Sequence, residues 1–245
     1  MAVATDIVFM GFRPEAVEFL AELAANNDRA WFQPRKADFE RLLKEPLEAL
    51  CVALDEQFRT RGIPLTADPA KSPFRIYRDV RFAKDKSPYK TNIGASFAWA
   101  GEVADAPVSG ASSRSGGTNA HSGGGYFHLS PGEIYVGGGI WHPEKPWLDA
   151  FRRRVVDEPA ELRRIVDAKP FQETFGGLSR DGHALQRVPS GFAPDHPEAE
   201  TLKLKDVIFG RRLSDDEAQS ADLPRTIATS FEAGVPLLRY LAALG

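Results

Sequence analysis

The sequence has a single cysteine, Cys51, set in an apolar helical pattern. This excludes a disulfide framework and a zinc site built on thiolates. It also lacks an excess of charge of either sign. The formal net charge is −3, which argues against coating nucleic acid through bulk positive potential and leaves only a local basic patch to consider. No apolar run approaches the length of a membrane span, so no membrane partner is expected. Met1 to Phe12 shows no basic stretch followed by an apolar core, and no signal peptide is expected there. His128, His142, His183 and His196 show neither HxxxH nor HxH spacing, so no metal is indicated. There is no G-x-S-x-G, and Gly137-Gly138-Gly139 lacks the spacing of a phosphate-binding loop. It reads instead as a bulge or a close approach of neighbouring backbone. Reaction type and cofactor stay unassigned.

What is present is an ordinary globular composition, 42% hydrophobic and 27% charged, in an order of helices, then strands, then helices. Pro14, Pro34 and Pro46 each open a helical stretch, with Val17, Leu20 and Leu23, then Phe39, Leu42 and Leu43, then Leu47, Leu50, Leu54 and Phe58 in stripes. Asp28 caps a short turn holding Trp31 and Phe32. In Asn92–Ala100, Ile93, Ala95, Phe97 and Trp99 alternate with Gly94, Ser96 and Ala98, giving one bulky face and one small face. Gly101–Gly124, which includes His121, is rich in Gly, Ser and Ala without periodicity and reads as a flexible insertion. Tyr126–Ser130, Pro131-Gly132 and Glu133–Val136 read as a hairpin that sets Leu129 opposite Ile134, Phe127 opposite Val136 and His128 opposite Tyr135. Further helices are expected over Trp147–Val156, Ala160–Asp167, Phe171–Phe175, Pro197–Lys205 and Pro224–Leu244, with a kink at Pro236 and a short strand at Val207–Phe209. Ser214 and Glu217 are spaced as a capping box. The fold class that follows is α+β, with an antiparallel or mixed sheet from the middle of the chain flanked by N-terminal and C-terminal helices, in a single domain over 1–245.

The stretch from Arg75 to Lys90 interleaves basic groups with Ile76, Tyr77, Val80, Phe82 and Tyr89. Its β-branched and aromatic residues predict a strand over Arg75–Phe82, with Arg75, Tyr77, Asp79 and Arg81 on one face and Ile76, Arg78, Val80 and Phe82 on the other. Arg78 should then be the least exposed of the three arginines and lie near an acceptor. Ser87-Pro88 turns the chain, and Asp85 lies beyond the strand.

Arg-x-x-Arg-Asp-x-Arg-Phe-x-x-x-Lys-x-Pro-Tyr, carried here by Arg75, Arg78, Asp79, Arg81, Phe82, Lys86, Pro88 and Tyr89, resembles the signature of a widespread bacterial family with fungal members, domain of unknown function 2461. The resemblance extends through Asn26-Asn27-x-x-x-Trp31-Phe32 and Gly137-Gly138-Gly139-x-Trp141, and so covers most of the chain. It implies membership and brings no activity with it. The expected location is a bacterial cytoplasm.

If these strands share one sheet, Arg75, Tyr77, Asp79 and Arg81 converge with the small face of Asn92–Ala100 and with Tyr126, His128 and Tyr135. Arginine forks match carboxylate and phosphate, so the first reading is a site for a phosphorylated or otherwise anionic small molecule. In it Arg75, Arg78, Arg81 and Lys86 hold the anion. Tyr77, Tyr89, Tyr126 and Tyr135 line the site, and His128 is the candidate acid–base. A second reading is a nucleic-acid-binding module with aromatics on a sheet and a basic rim. A third is a structural or interaction domain whose arginines are all internally paired, Asp79 with Arg75 or Arg81.

Overall fold

The computed structural model describes residues 8–81, 83–101, 123–180 and 184–244. The expected insertion therefore falls almost wholly outside the described residues, as do Phe82, His121 and His183.

Helix α1 (Pro14–Ala25) starts at a proline whose missing N–H would have no intrahelical partner in any case, and it buries Ala16, Phe19, Leu20 and Leu23. Asp28 caps α2 (Arg29–Phe32), its carboxylate accepting from the Trp31 N–H at 2.9 Å. A 3-10 turn (Gln33–Arg35) leads into α3 (Lys36–Phe39), a π-helical turn (Glu40–Lys44) and α4 (Glu45–Arg61). The chain does not break at Pro46, contrary to the sequence reading. Widening the helix over Glu40–Lys44 moves the carbonyls away from the proline ring, which a regular α-helix would drive into the carbonyl four residues back. Gly62, at φ 65°, ends α4 in the left-handed conformation.

Five strands follow in the order β1 (Leu65–Thr66), β2 (Ile93–Trp99), β3 (Gly124–Ser130), β4 (Glu133–Ile140) and β5 (Val207–Arg212), every neighbouring pair antiparallel. The fold is thus α+β with an antiparallel sheet. The β3–β4 hairpin has the expected register, Leu129 opposite Ile134, Phe127 opposite Val136 and His128 opposite Tyr135. Gly132 sits at φ 78°, as a type II turn over Pro131-Gly132 requires. Between β4 and β5 the chain forms α5 (Lys145–Asp157), α6 (Pro159–Val166), α7 (Lys169–Phe175) and the short α8 (Ala199–Leu202), the remnant of the longer helix expected over Pro197–Lys205. The capping box of Ser214 and Glu217 opens α9 (Asp215–Gln219), and α10 (Leu223–Ala242) runs on through Pro236.

One face of the sheet is apolar. Ala95, Phe97, Phe127, Leu129, Val136 and Phe209 are all fully buried there, and α1, α4 and α10 cover it. Phe127 stacks on Phe12 at 5.8 Å, and Phe231 of α10 meets Phe97 edge-on. The triple glycine is unbulged. β4 keeps register with β3 and β5 throughout, and the glycines are there for space: a Cβ on Gly137 would run into the Phe209 carbonyl, and one on Gly139 into that of Val207.

Candidate functional site

The expected strand Arg75–Phe82 does not form over its described residues. Only residues 72–74 run beside β2, through the Phe74 N–H to Gly94 carbonyl bond (2.9 Å) and the Ser96 N–H to Ser72 carbonyl bond (2.9 Å). The chain then leaves the sheet and folds back on itself. Tyr77 bridges Tyr89, the Arg78 N–H donates to the Pro88 carbonyl (2.9 Å) and the Lys90 N–H to the Ile76 carbonyl (2.8 Å). The arm between these rungs is closed by local bonds that compete with a ladder. Asp79 accepts from the Arg81 main-chain N–H at 3.3 Å, Asp85 from the Ser87 N–H at 2.9 Å, and the Lys86 ammonium donates to the Val80 carbonyl at 2.9 Å. β-propensity thus loses to side-chain-to-backbone bonds at two aspartates, and Arg75 and Arg81 do not share a strand face.

The arm accounts for most of the charged residues singled out from the sequence. Arg78 is half-buried, at 31% side-chain exposure, and pairs with Asp85, which returns to the arm instead of turning away. Hydrogen bonds from Ser87 and Arg78 hold the Asp85 carboxyl well below the usual range. Arg81 grips Asp79 through two side-chain bonds of 3.0 and 2.6 Å, and this hydrogen bonding lowers the Asp79 pKa to about 2. Tyr77 is 47% exposed on the arm. Tyr89 is 1% exposed, which removes it from the ligand-lining set: its ring stacks on Phe32 at 4.1 Å inside the helical layer.

Asn27 fixes that anchor. Its side-chain amide donates to the Tyr89 carbonyl at 3.0 Å and accepts from the Tyr89 N–H at 3.1 Å, taking the place of a strand partner. Asn27 and Phe32 are near neighbours in sequence and Tyr89 is remote from both, yet the first holds its main chain and the second its ring, which gives the arm its base.

The sheet face opposite the core carries the second group of candidates. Tyr126 and His128 of β3 and Tyr135 of β4 are half-buried there, beside Ser96 and Gly94. Small residues make this arrangement possible. A Cβ at Gly210 would fall on the Tyr135 hydroxyl, and one at Gly94 would come within 3.3 Å of the Tyr126 ring. His128 has partners at both nitrogens. Nδ1 lies 2.9 Å from the Tyr126 hydroxyl and 3.4 Å from the Asn92 amide nitrogen, and Nε2 lies 3.0 Å from Ser130 Oγ. The Asn92 amide nitrogen can only donate, so Nδ1 accepts. Nε2–H then donates to Ser130, whose hydroxyl donates in turn to the Glu133 carbonyl at 3.2 Å. Burial lowers the His128 pKa and raises those of Tyr126 and Tyr135, a bias toward the neutral form of each.

Arg75 and Lys90 stand next to this network. The Lys90 ammonium lies 5.1 Å over the Phe74 ring, and that ring lies 6.0 Å from Tyr126. Lys90 is half-buried, and desolvation, reinforced by the charge of Arg75, lowers its pKa. Neither Arg75 nor Lys90 closes a salt bridge within 4 Å among the described residues, in contrast to Arg78 and Arg81 on the arm, although the charge of Arg75 reaches Asp79 and helps lower its pKa. From the sequence, Lys90 sits with Lys86 on the turn after the expected strand, where a loop could carry both over the polar face, and only Lys86 is named as a binding residue. The return of residues 88–90 alongside 76–78 is what sets it beside Arg75.

Cys51 is buried in α4, and desolvation pushes its thiol up to about 12, far from a reactive thiolate. Among the described residues no cluster of three or more His, Cys, Asp or Glu is placed to hold a metal ion. No described helix is long and apolar enough to cross a membrane.

No curated protein and no solved structure matches this chain. The sequence model of one family does, over residues 15–240, a span that takes in the Asn27–Phe32–Tyr89 anchor, the arm, the sheet and nearly all of α10; the chain belongs to the family described as conserved hypothetical protein (DUF2461).

Proposed function

We propose that the polar sheet face binds a phosphorylated or otherwise anionic small molecule, with Arg75 and Lys90 supplying the charge and Tyr126, Asn92 and Phe74 the surroundings. The observation that carries this reading is the pair of like charges, Arg75 and Lys90. They lie close enough for Arg75 to help lower the Lys90 pKa, and neither closes a salt bridge among the described residues; Asp79, which Arg75 also attracts, is already held by Arg81. The Phe74 ring under Lys90 offsets part of that charge but does not neutralise it. An anion between the two cations would relieve their repulsion, and Arg75 presents the planar fork that a phosphate or carboxylate takes bidentately. Arg78 and Arg81 serve the arm instead, since each already holds an aspartate.

A thermal-shift titration with inorganic phosphate and with nucleoside monophosphates tests the site. We expect a rise in melting temperature that grows with concentration, disappears in the Arg75→Ala, Lys90→Ala double variant and persists in Arg81→Ala. A shift that survives the double variant, or no shift at all, sinks the proposal. The exposed Tyr77 on a basic arm favours one rival, single-stranded nucleic acid. Affinity for a short oligonucleotide that falls steeply with salt, without any response to phosphate, would favour it.

A further inference from the structure

We propose that His142 is a phosphoryl-acceptor histidine, held for nucleophilic attack by the buried carboxylate of Asp206. His142 lies just after β4, far along the sheet from Arg75 and Lys90. It is the non-glycine residue with positive φ, 49°, among the described residues. A left-handed backbone is disfavoured for any residue with a Cβ, so something must hold it there. Asp206 does so: one carboxylate oxygen accepts from the His142 main-chain N–H at 2.5 Å and faces the ring Nδ1 at 3.1 Å. The Asp206 side chain is 2% exposed and the imidazole 73%. A buried carboxylate therefore orients a ring that stands in solvent. The Trp141 ring flanks it at 4.7 Å.

A carboxylate can only accept, so Nδ1 of the neutral ring carries the hydrogen and Nε2 carries the lone pair. Nε2 has no hydrogen-bond partner among the described residues. The other described histidines have the opposite arrangement. His128 donates from Nε2 to Ser130, and His196 accepts at Nδ1 from the Glu198 N–H at 3.0 Å, which leaves its hydrogen on Nε2. His142 alone among them presents a bare Nε2 with its Nδ1 proton held by a carboxylate.

A phosphoryl group suits this geometry because the exposed ring can be approached in line by a small donor. The Nε2 lone pair forms the N–P bond as the bond from phosphorus to the leaving group breaks and its electron pair departs with that group. The hydrogen stays on Nδ1, and the positive charge developing on the ring is offset by Asp206. With phosphoramidate as donor the leaving nitrogen is already protonated and departs as ammonia, so the step needs no other reactant.

Incubation of the folded protein with potassium phosphoramidate tests this. Tandem mass spectrometry locates the acid-labile adduct, and phosphorus NMR distinguishes Nε2 from Nδ1. We expect His142 to be labelled at Nε2 roughly tenfold faster than His196, and roughly tenfold faster than His142 in the urea-unfolded chain. Asp206→Asn should erase the difference; should that variant not fold, the comparison with the unfolded wild-type chain still decides. His142→Gly keeps the main-chain bond to Asp206 and accepts the left-handed φ, so it should melt at or above the wild-type temperature while losing the adduct. Equal rates at His142 and His196, an Nδ1 adduct, or a large loss of stability in His142→Gly would overturn the assignment and leave the pair as a structural clamp.

Discussion

The two faces of this sheet are cut from the same strands and differ in almost every other respect. On β3, Phe127 and Leu129 are fully buried under helices, while Tyr126, His128 and Ser130 form a hydrogen-bonded row on a half-open surface. The first face needs only volume and apolarity. The second needs small residues at fixed positions, because the tyrosine rings lie across Gly94 and Gly210. The difference shows where tolerance to change should lie. Dispersion and burial reward the core face for being filled, whereas the other face keeps the like charges of Arg75 and Lys90 side by side at its margin, an arrangement that a stability argument alone does not explain.

The largest effect should come from the core face. Phe127→Ala leaves a cavity against Phe12 and should cost about 3–5 kcal/mol in urea denaturation. Removal of His128 from the same strand should cost less than half of that, and equal losses would erase the distinction between the faces. Next comes the anchor. Asn27→Ala strips both partners from the Tyr89 main chain and should cost about 1–3 kcal/mol. Amide exchange at Tyr89 should rise more than at Phe127; unchanged protection would show that the ring stack on Phe32 holds the arm without Asn27.

pH separates the faces further. The folded-state pKa of His128 lies below its unfolded value, so the unfolded chain binds the extra proton first. The stability that the neutral imidazole contributes is whole above the unfolded value and is lost as pH falls from there through the folded pKa. His128→Gln should flatten that part of the stability–pH curve, and an unchanged slope would place the titration elsewhere. The smallest effect on stability should be that of Arg75→Ala, within about 0.5 kcal/mol either way, since the guanidinium is exposed and closes no salt bridge among the described residues. A larger loss would mean that Arg75 holds the fold together and would count against an anion site.

Features that depend on near neighbours were legible in the order of residues alone. Apolar periodicity gave the helical layers and the alternation in β2, since one face of each element had to be buried. The Pro131-Gly132 turn and alternating residues fixed the β3–β4 register, because a slip of one would turn Phe127 and Leu129 outward. The Asp28 cap and the Ser214–Glu217 box were legible because capping is a matter of three residues. Features that depend on distant partners emerged only on folding. β-propensity misassigned Arg75–Phe82 because local bonds at Asp79 and Asp85, and an anchor from Asn27, outweighed it. Lys90 reached Arg75 only when the arm folded back, and Asp206 reached His142 only because β5 pairs with β4. Both candidate sites depend on contacts between residues remote in sequence, and residue pattern carries no record of which remote partner will come within hydrogen-bonding distance.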